Sequence, residues 1–225
     1  MKSGVKRTTP YKVISIIILV ILAILFLFPL YWIVTGAFKP TTDIYASQPV
    51  WWPSEWVTSN FEKLFTKRSA PLFEIGALVG PTVPAAIRWL VNTVFMSVAA
   101  MLLTCITAAM AGYALAKKRL VGRTPLVSLI ICAMALPKEV ILIPLLKEMS
   151  ALKLYGSLWA VIFPTVGWPF GVFLMKQFCE SVPGEMLEAA RIDGASEART
   201  FTQIVVPLIK PGIGALAIFT FINSW

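Results

Sequence analysis

The sequence predicts an all-α protein, a polytopic bundle of transmembrane helices. Three observations carry that prediction. Apolar residues fill 58% of the 225 positions and charged residues only 14%, where a soluble domain carries about 25% charged residues. The uncharged residues gather into five long runs instead of scattering. The net charge of +9 comes from 20 basic and 11 acidic residues, and the basic ones cluster at the ends of those runs. That is the distribution of a membrane-topology signal, not of a nucleic-acid-binding face.

The first run, Val13 to Phe38, holds 26 uncharged residues between Lys12 and Lys39. A crossing helix needs about 20, and neither a short apolar core nor a small-residue cleavage site marks it as a signal peptide. The second, Trp89 to Ala116, holds 28 between Arg88 and Lys117. The third begins near Thr124, meets Pro137, Lys138 and Glu139, and resumes from Val140 to Leu146. The fourth runs from Leu154 to Met175 and is interrupted by Pro164 and Pro169. The fifth starts at Pro211 and has only 15 uncharged residues after Lys210, so the expectation is five spans in view, a longer fifth helix and a sixth after it.

Orientation follows from the basic residues. Lys2, Lys6, Arg7 and Lys12 have no acid among them, nor do Lys117, Lys118, Arg119 and Arg123. Both segments are expected in the cytoplasm. Residues 39–88 carry five basic and four acidic residues and are expected outside. Alternation then puts the segment around Glu188 in the cytoplasm. The whole of 1–225 reads as one transmembrane domain, with residues 181–211 as a loop within it.

Reactive chemistry is sparse. The chain has no histidine and three cysteines, Cys105, Cys132 and Cys179, none paired at metal-ligand spacing. No cofactor is expected. No G-x-x-x-x-G-K-[ST] phosphate loop occurs, so this chain does not hydrolyse ATP by that device. Lys138 and Glu139 interrupt an apolar stretch. They either face a watery cavity within the membrane, the default for intramembrane charge, or mark the outer end of a helix broken at Pro137.

Residues 181–211 break the apolar pattern most clearly. Pro183 suits a helix start, with Ser181 as a candidate cap, and Glu185 and Glu188 lie where the helix dipole favours acids. Ala189 and Ala190 are small helix formers that allow a partner close approach. Asp193-Gly194 reads as a turn, and Ser196 can cap a second helix. On that helix Phe201, Ile204, Val205 and Leu208 form one apolar stripe. Pro207 and Pro211 punctuate the entry to the last run. From periodicity alone, the segment is either a docking knob at the membrane surface or an ordinary amphipathic connector.

A resemblance separates the two. Glu188-Ala189-Ala190, Asp193-Gly194-Ala195, Phe201, Ile204, Pro207 and Pro211 stand at the spacing of the EAA loop of ABC-transporter permeases. Pro53 through Asn60-Phe61, Asn92-Thr93, Ile143-Pro144 and Pro169-Phe170 resemble the carbohydrate-uptake subfamily, similar to the maltose-type second permease. The resemblance implies a cytoplasmic loop that inserts into an ATPase subunit, with Glu188 as its acidic contact and Gly194 as its bend. It also implies a second permease, an extracytoplasmic substrate-binding protein, membrane lipid as surroundings, no nucleic acid and a bacterial inner-membrane location with the N-terminus in the cytoplasm. The chain departs from the family in lacking a sixth helix and in an enlarged outer loop at Ser69 to Ala86. Trp89, Phe95, Trp159, Trp168 and Phe170 either line a sugar path, Trp168 with Lys138 and Glu139, or face lipid and its interface. Trp51, Trp52 and Trp56 suit an interfacial belt equally. The rivals are a permease for an amino acid or polyamine, a polytopic intramembrane enzyme and a structural scaffold.

Overall fold

The computed structural model describes residues 10–225 except 68, 73, 76 and 77, and leaves the side chains of 67, 74, 75, 78 and 138 undescribed. Lys2, Lys6 and Arg7, on which the N-terminal orientation rests, lie outside the described residues. Two compact units divide at residues 88 and 89.

The first unit opens with α1, Pro10–Ala37, whose apolar window is exposed along its length. A side-chain surface of Ile, Leu, Val and Phe on every face suits lipid, not water. The helix carries Pro29 in its interior, and it ends just before Pro40, whose ring disfavours helical backbone at the preceding residue. A short helix α2 (Thr41–Ile44) follows. The Trp51 and Trp52 segment folds back on α1: the Tyr31 hydroxyl donates to the Trp51 carbonyl at 2.5 Å, and the Trp32 and Trp51 rings meet edge-on at 5.8 Å. Lys39 is buried; its ammonium donates to the Val50 carbonyl and sits 4.1 Å over the Trp32 ring. Asn60, in α3 (Ser59–Glu62), donates to the Ala37 and Lys39 carbonyls.

Within the expected outer loop from Ser69 to Ala86 the described residues include four short strands. Strands β1 (Ser69–Pro71) and β4 (Thr82–Pro84) pair antiparallel, with Ala70 opposite Val83. Between them β2 (Glu74–Ile75) pairs with β3 (Leu78–Val79). These four short strands are the sheet content among the described residues of an otherwise helical chain.

The second unit is built around α4, Ala85–Lys117, 33 residues long and about 50 Å from end to end. The third run of the sequence does not form one straight helix. It splits into α5 (Arg123–Met134) and α6 (Lys138–Ala151), bent by 107°. Each piece reaches only about 18–21 Å, against the roughly 30 Å of a hydrocarbon core. Pro137 caps α6 in extended backbone, which ends α5. The fourth run begins later than its apolar composition suggests, because Gly156 and Lys153 take positive φ and hold a turn before it. Its helices α7 (Trp159–Val166) and α8 (Pro169–Glu180) together make a 22-residue candidate span. Among the described residues, three helices are thus long and apolar enough to cross a membrane, or up to five when each bent pair counts as one span.

Small residues set the centre of this unit. A Cβ on Gly112 of α4 would lie 2.7 Å from the Met175 and Lys176 backbone of α8. Ala108 and Ala109 line the same contact and are buried. Close backbone approach over small residues is how helices associate when lipid competes for apolar contact. The Thr104 hydroxyl donates to the Thr165 carbonyl at 3.4 Å, joining α4 to α7.

Candidate functional site

The segment 181–211 folds as a helix, a glycine turn and a second helix, as the sequence predicts. Helix α9 is Gly184–Ile192, with Pro183 rather than Ser181 at its N-cap. The Ser181 hydroxyl instead donates to the Phe178 carbonyl at 2.8 Å and closes the end of α8. This corrects the expected cap: Ser181 is the C-cap residue of α8, too far upstream of α9 to reach its orphan N–H groups.

Gly194 takes φ +73°. Its N–H donates to the Arg191 carbonyl at 3.1 Å, and the Ala195 N–H donates to the Ala190 carbonyl at 2.9 Å. This pair of bonds is the Schellman ending of a helix, which needs left-handed backbone at the position Gly194 occupies. Ser196 then caps α10 (Glu197–Thr200), its hydroxyl accepting from the Arg199 N–H. Residues Phe201–Val205 form a π-helical turn before α11 (Val206–Leu208) and α12 (Lys210–Ser224). The helical stretch from Glu197 to Leu208 and α12 meet at 77°.

The π turn moves the apolar stripe. Val205 and Ile209 are buried and Phe201 packs beside them, while Leu208 is exposed. The wider turn adds one residue to the register, so Ile209 takes the inward place the sequence assigned to Leu208. The stripe joins a core of Ala108, Ala109, Tyr113, Met175, Cys179 and Leu187. Ala190 is buried in its own protein, so it serves internal packing. Ala189 and Glu188 are exposed beside Glu185, and Ile192 is 86% exposed. Glu188, Ala189 and Ile192, three and four residues apart on α9, share one exposed face. Glu188 has no ion-pair partner among the described residues. Asp193 and Gly194 are exposed at the turn, and Ile204 is half-buried. Pro207 is exposed in α11, and Pro211 lies in the first turn of α12.

The loop is fastened on both sides of its glycine turn. The Lys117 ammonium donates to the Val182 carbonyl at 2.6 Å and to the Glu180 carbonyl at 3.0 Å. Glu180 also receives Lys176 at 2.7 Å and Arg123 at 3.2 Å. On the far side, Lys118 pairs with Glu197. The buried Tyr113 hydroxyl donates to the same carboxylate at 2.5 Å, and its ring lies 5.3 Å from Phe201. Lys118 and then Tyr113 hold the Glu197 carboxyl below the usual carboxylate range. In the sequence Lys117, Lys118 and Arg123 stand out only as topology signals, and Tyr113 lies inside an apolar run. A tyrosine there is itself a signal, since its hydroxyl needs a partner when buried.

Of the three path candidates, Glu139 and Trp168 are described at their side chains. Glu139 lies exposed in the first turn of α6, where the helix dipole accommodates it. The Lys138 side chain lies outside the described residues. Trp168 stands at the break before α8, packed against the core, with its ring 4.8 Å from Phe170.

The model of the family described as a binding-protein-dependent transport system inner membrane component matches residues 106–225. The chain belongs to this family. As a member of it, the permease is similar along most of its length to curated proteins. It is 31% identical to the arabinooligosaccharides transport system permease protein AraQ of Halalkalibacterium halodurans, over 91% of this chain and 68% of that one. It is 28% identical to the diacetylchitobiose uptake system permease protein NgcG of Streptomyces coelicolor, over 96% of this chain and 66% of that one. Its fold matches a chain of a bacterial ABC transporter involved in the import of the acidic polysaccharide alginate. That match covers all of this chain and 73% of the other, at a TM-score of 0.72 and 22% identity. The permease is thus an inner-membrane component of a transport system, with a polytopic helical fold.

Proposed function

We propose that the chain is one permease subunit of an ATP-driven ABC importer for a sugar or oligosaccharide. Residues 181–211 dock on the ATPase subunit from the cytoplasmic side, and a second permease and an extracytoplasmic binding protein complete the system. The observation that carries the docking role is the exposed face of Glu188, Ala189 and Ile192, held between two fastened ends at a turn only glycine takes easily. Carbohydrate as cargo is supported by relatives named for arabinooligosaccharides, diacetylchitobiose, sulfoquinovosyl glycerol and alpha-glucosides. An osmoprotective-compound permease is also among the relatives, so cargo needs a direct test.

The cytoplasmic placement has its own support. Lys117 and Arg123 bond to Glu180 and Val182, and Lys118 bonds to Glu197, so the 117–123 and 180–197 segments share one side. The first of these is strongly basic with no acid, the composition that stays inside. Orientation with the N-terminus inside follows by alternation. ATP-driven closure of the ATPase pair pushes the docked loops together and opens the cavity outward. Glu139 and Trp168, each beside a helix break, are where we place the path.

Uptake by cells carrying the full system tests the reading. Labelled arabinotriose, diacetylchitobiose and an α-glucoside are offered beside spermidine and glutamine. Accumulation of a sugar alone, lost when the permease is deleted, is expected. Accumulation of the amine or amino acid alone would replace the carbohydrate reading with its rival.

A further inference from the structure

We infer that Tyr113, Lys118 and Glu197 form a positioning latch that carries a displacement of the docked loop into helix α4. The inference rests on the docking reading above. Its geometric basis is the contrast between adjacent lysines. Lys117 binds the carbonyls at the end of α8, upstream of the glycine turn, while Lys118 binds Glu197 downstream of it. Both lysines sit at the C-terminal end of α4. The one helix end therefore grips the loop on both sides of α9.

The two grips differ in what a push on α9 can break. The upstream one is spread over Glu180, Val182, Lys176 and Arg123. The downstream one converges on a single carboxylate. Lys118 and Glu197 are 26% and 55% exposed at their side chains, and such a solvated pair alone contributes little. Tyr113 changes that. It is 6% exposed, donates to the charged carboxylate, packs beside the tilted Phe201 ring and lies 5.2 Å beneath the Lys118 ammonium. A hydrogen bond to an ionised acceptor from a buried, packed ring has little freedom to re-aim. Glu197 also stands in the first turn of α10, and Lys118 just past the end of α4, so each charge lies at the dipole end that favours it. The latch fixes orientation more than it adds stability. Motion of α10 must turn the end of α4, and α4 is stiff and in backbone contact with α8 at Gly112.

The test uses the assembled complex of permeases and ATPase in proteoliposomes, with ATP and vanadate as the probe. Leu90 is 55% exposed near the other end of α4, about 40 Å from Lys117. Maleimide reactivity of Leu90→Cys in a Cys132→Ser background reports whether nucleotide moves that end. In the Tyr113→Phe and Glu197→Gln variants we expect unchanged complex yield, with vanadate-sensitive ATP hydrolysis measured alongside. The nucleotide-dependent change in reactivity should fall at least about fivefold, the lower edge of ordinary site-to-site coupling. Glu197→Lys alone should lose the response, and adding Lys118→Glu should restore much of it. A full response in Glu197→Gln overturns the latch. So does a response that falls only in step with yield and hydrolysis, because that is a folding role. If the unaltered latch shows no nucleotide response and no ATPase co-purifies, the docking reading fails, and the latch with it.

Discussion

Gly194 holds φ +73° with no heavy atom within 4 Å of where a Cβ would stand. A side chain there meets no neighbour; its cost is the left-handed backbone itself, about 1–2 kcal/mol for an L residue and more for a β-branched one. Gly194→Val should therefore shift α9 against α10 and abolish uptake, while membrane insertion and helix packing persist. Gly194→Asn should retain most of the activity, since asparagine visits this region. Uptake and membrane abundance measured side by side check the pair, and wild-type uptake in the valine variant would remove the coupling role from the turn. This residue was legible in the sequence because Asp-Gly is a local signal. Tyr113 and Glu197 were not, since 84 positions separate them and only tertiary packing brings them together.

Helices α4 and α8 meet where Gly112 leaves room for the Met175 and Lys176 backbone. In a bilayer, apolar side chains gain little by leaving lipid, so such close van der Waals contact does much of the associating. Gly112→Leu should push the helices apart and lower the yield of folded permease in detergent. Gly36→Leu, where a Cβ would meet nothing within 4 Å, should leave yield unchanged. Equal yields in the two variants, measured by size-exclusion chromatography, would contradict the packing account. At this scale the sequence shows where apolar helices lie but not how they break. Pro137 foretold an interruption of the third run, yet the 107° bend there depends on what the two halves pack against. Composition cannot report the π turn at Phe201–Val205 either, and that turn is why Ile209, not Leu208, completes the buried stripe.

The molecule as a whole reads as a membrane component whose polar loop is tied to the basic end of its longest helix. The apolar runs, the glycine turn and the capped second helix all follow from local rules, and each agrees with the fold that the family shares. The assignment of sides rests on charge and alternation, so it makes a direct prediction. Impermeant maleimide added outside intact cells should label Ser59→Cys and spare Ser196→Cys until the membrane is opened; the reverse pattern would overturn the orientation. The central claim, that the exposed face of α9 is the ATPase-docking surface, has a more direct test. A photo-reactive amino acid placed at Glu188 in the full transport system is illuminated in cells, and the captured protein is sequenced. The account predicts a cytoplasmic protein carrying a phosphate-binding G-x-x-x-x-G-K-[ST] loop, captured from position 188 and not from position 59. Capture of an extracytoplasmic protein from position 188, or of the nucleotide-binding partner from position 59 instead, would contradict it.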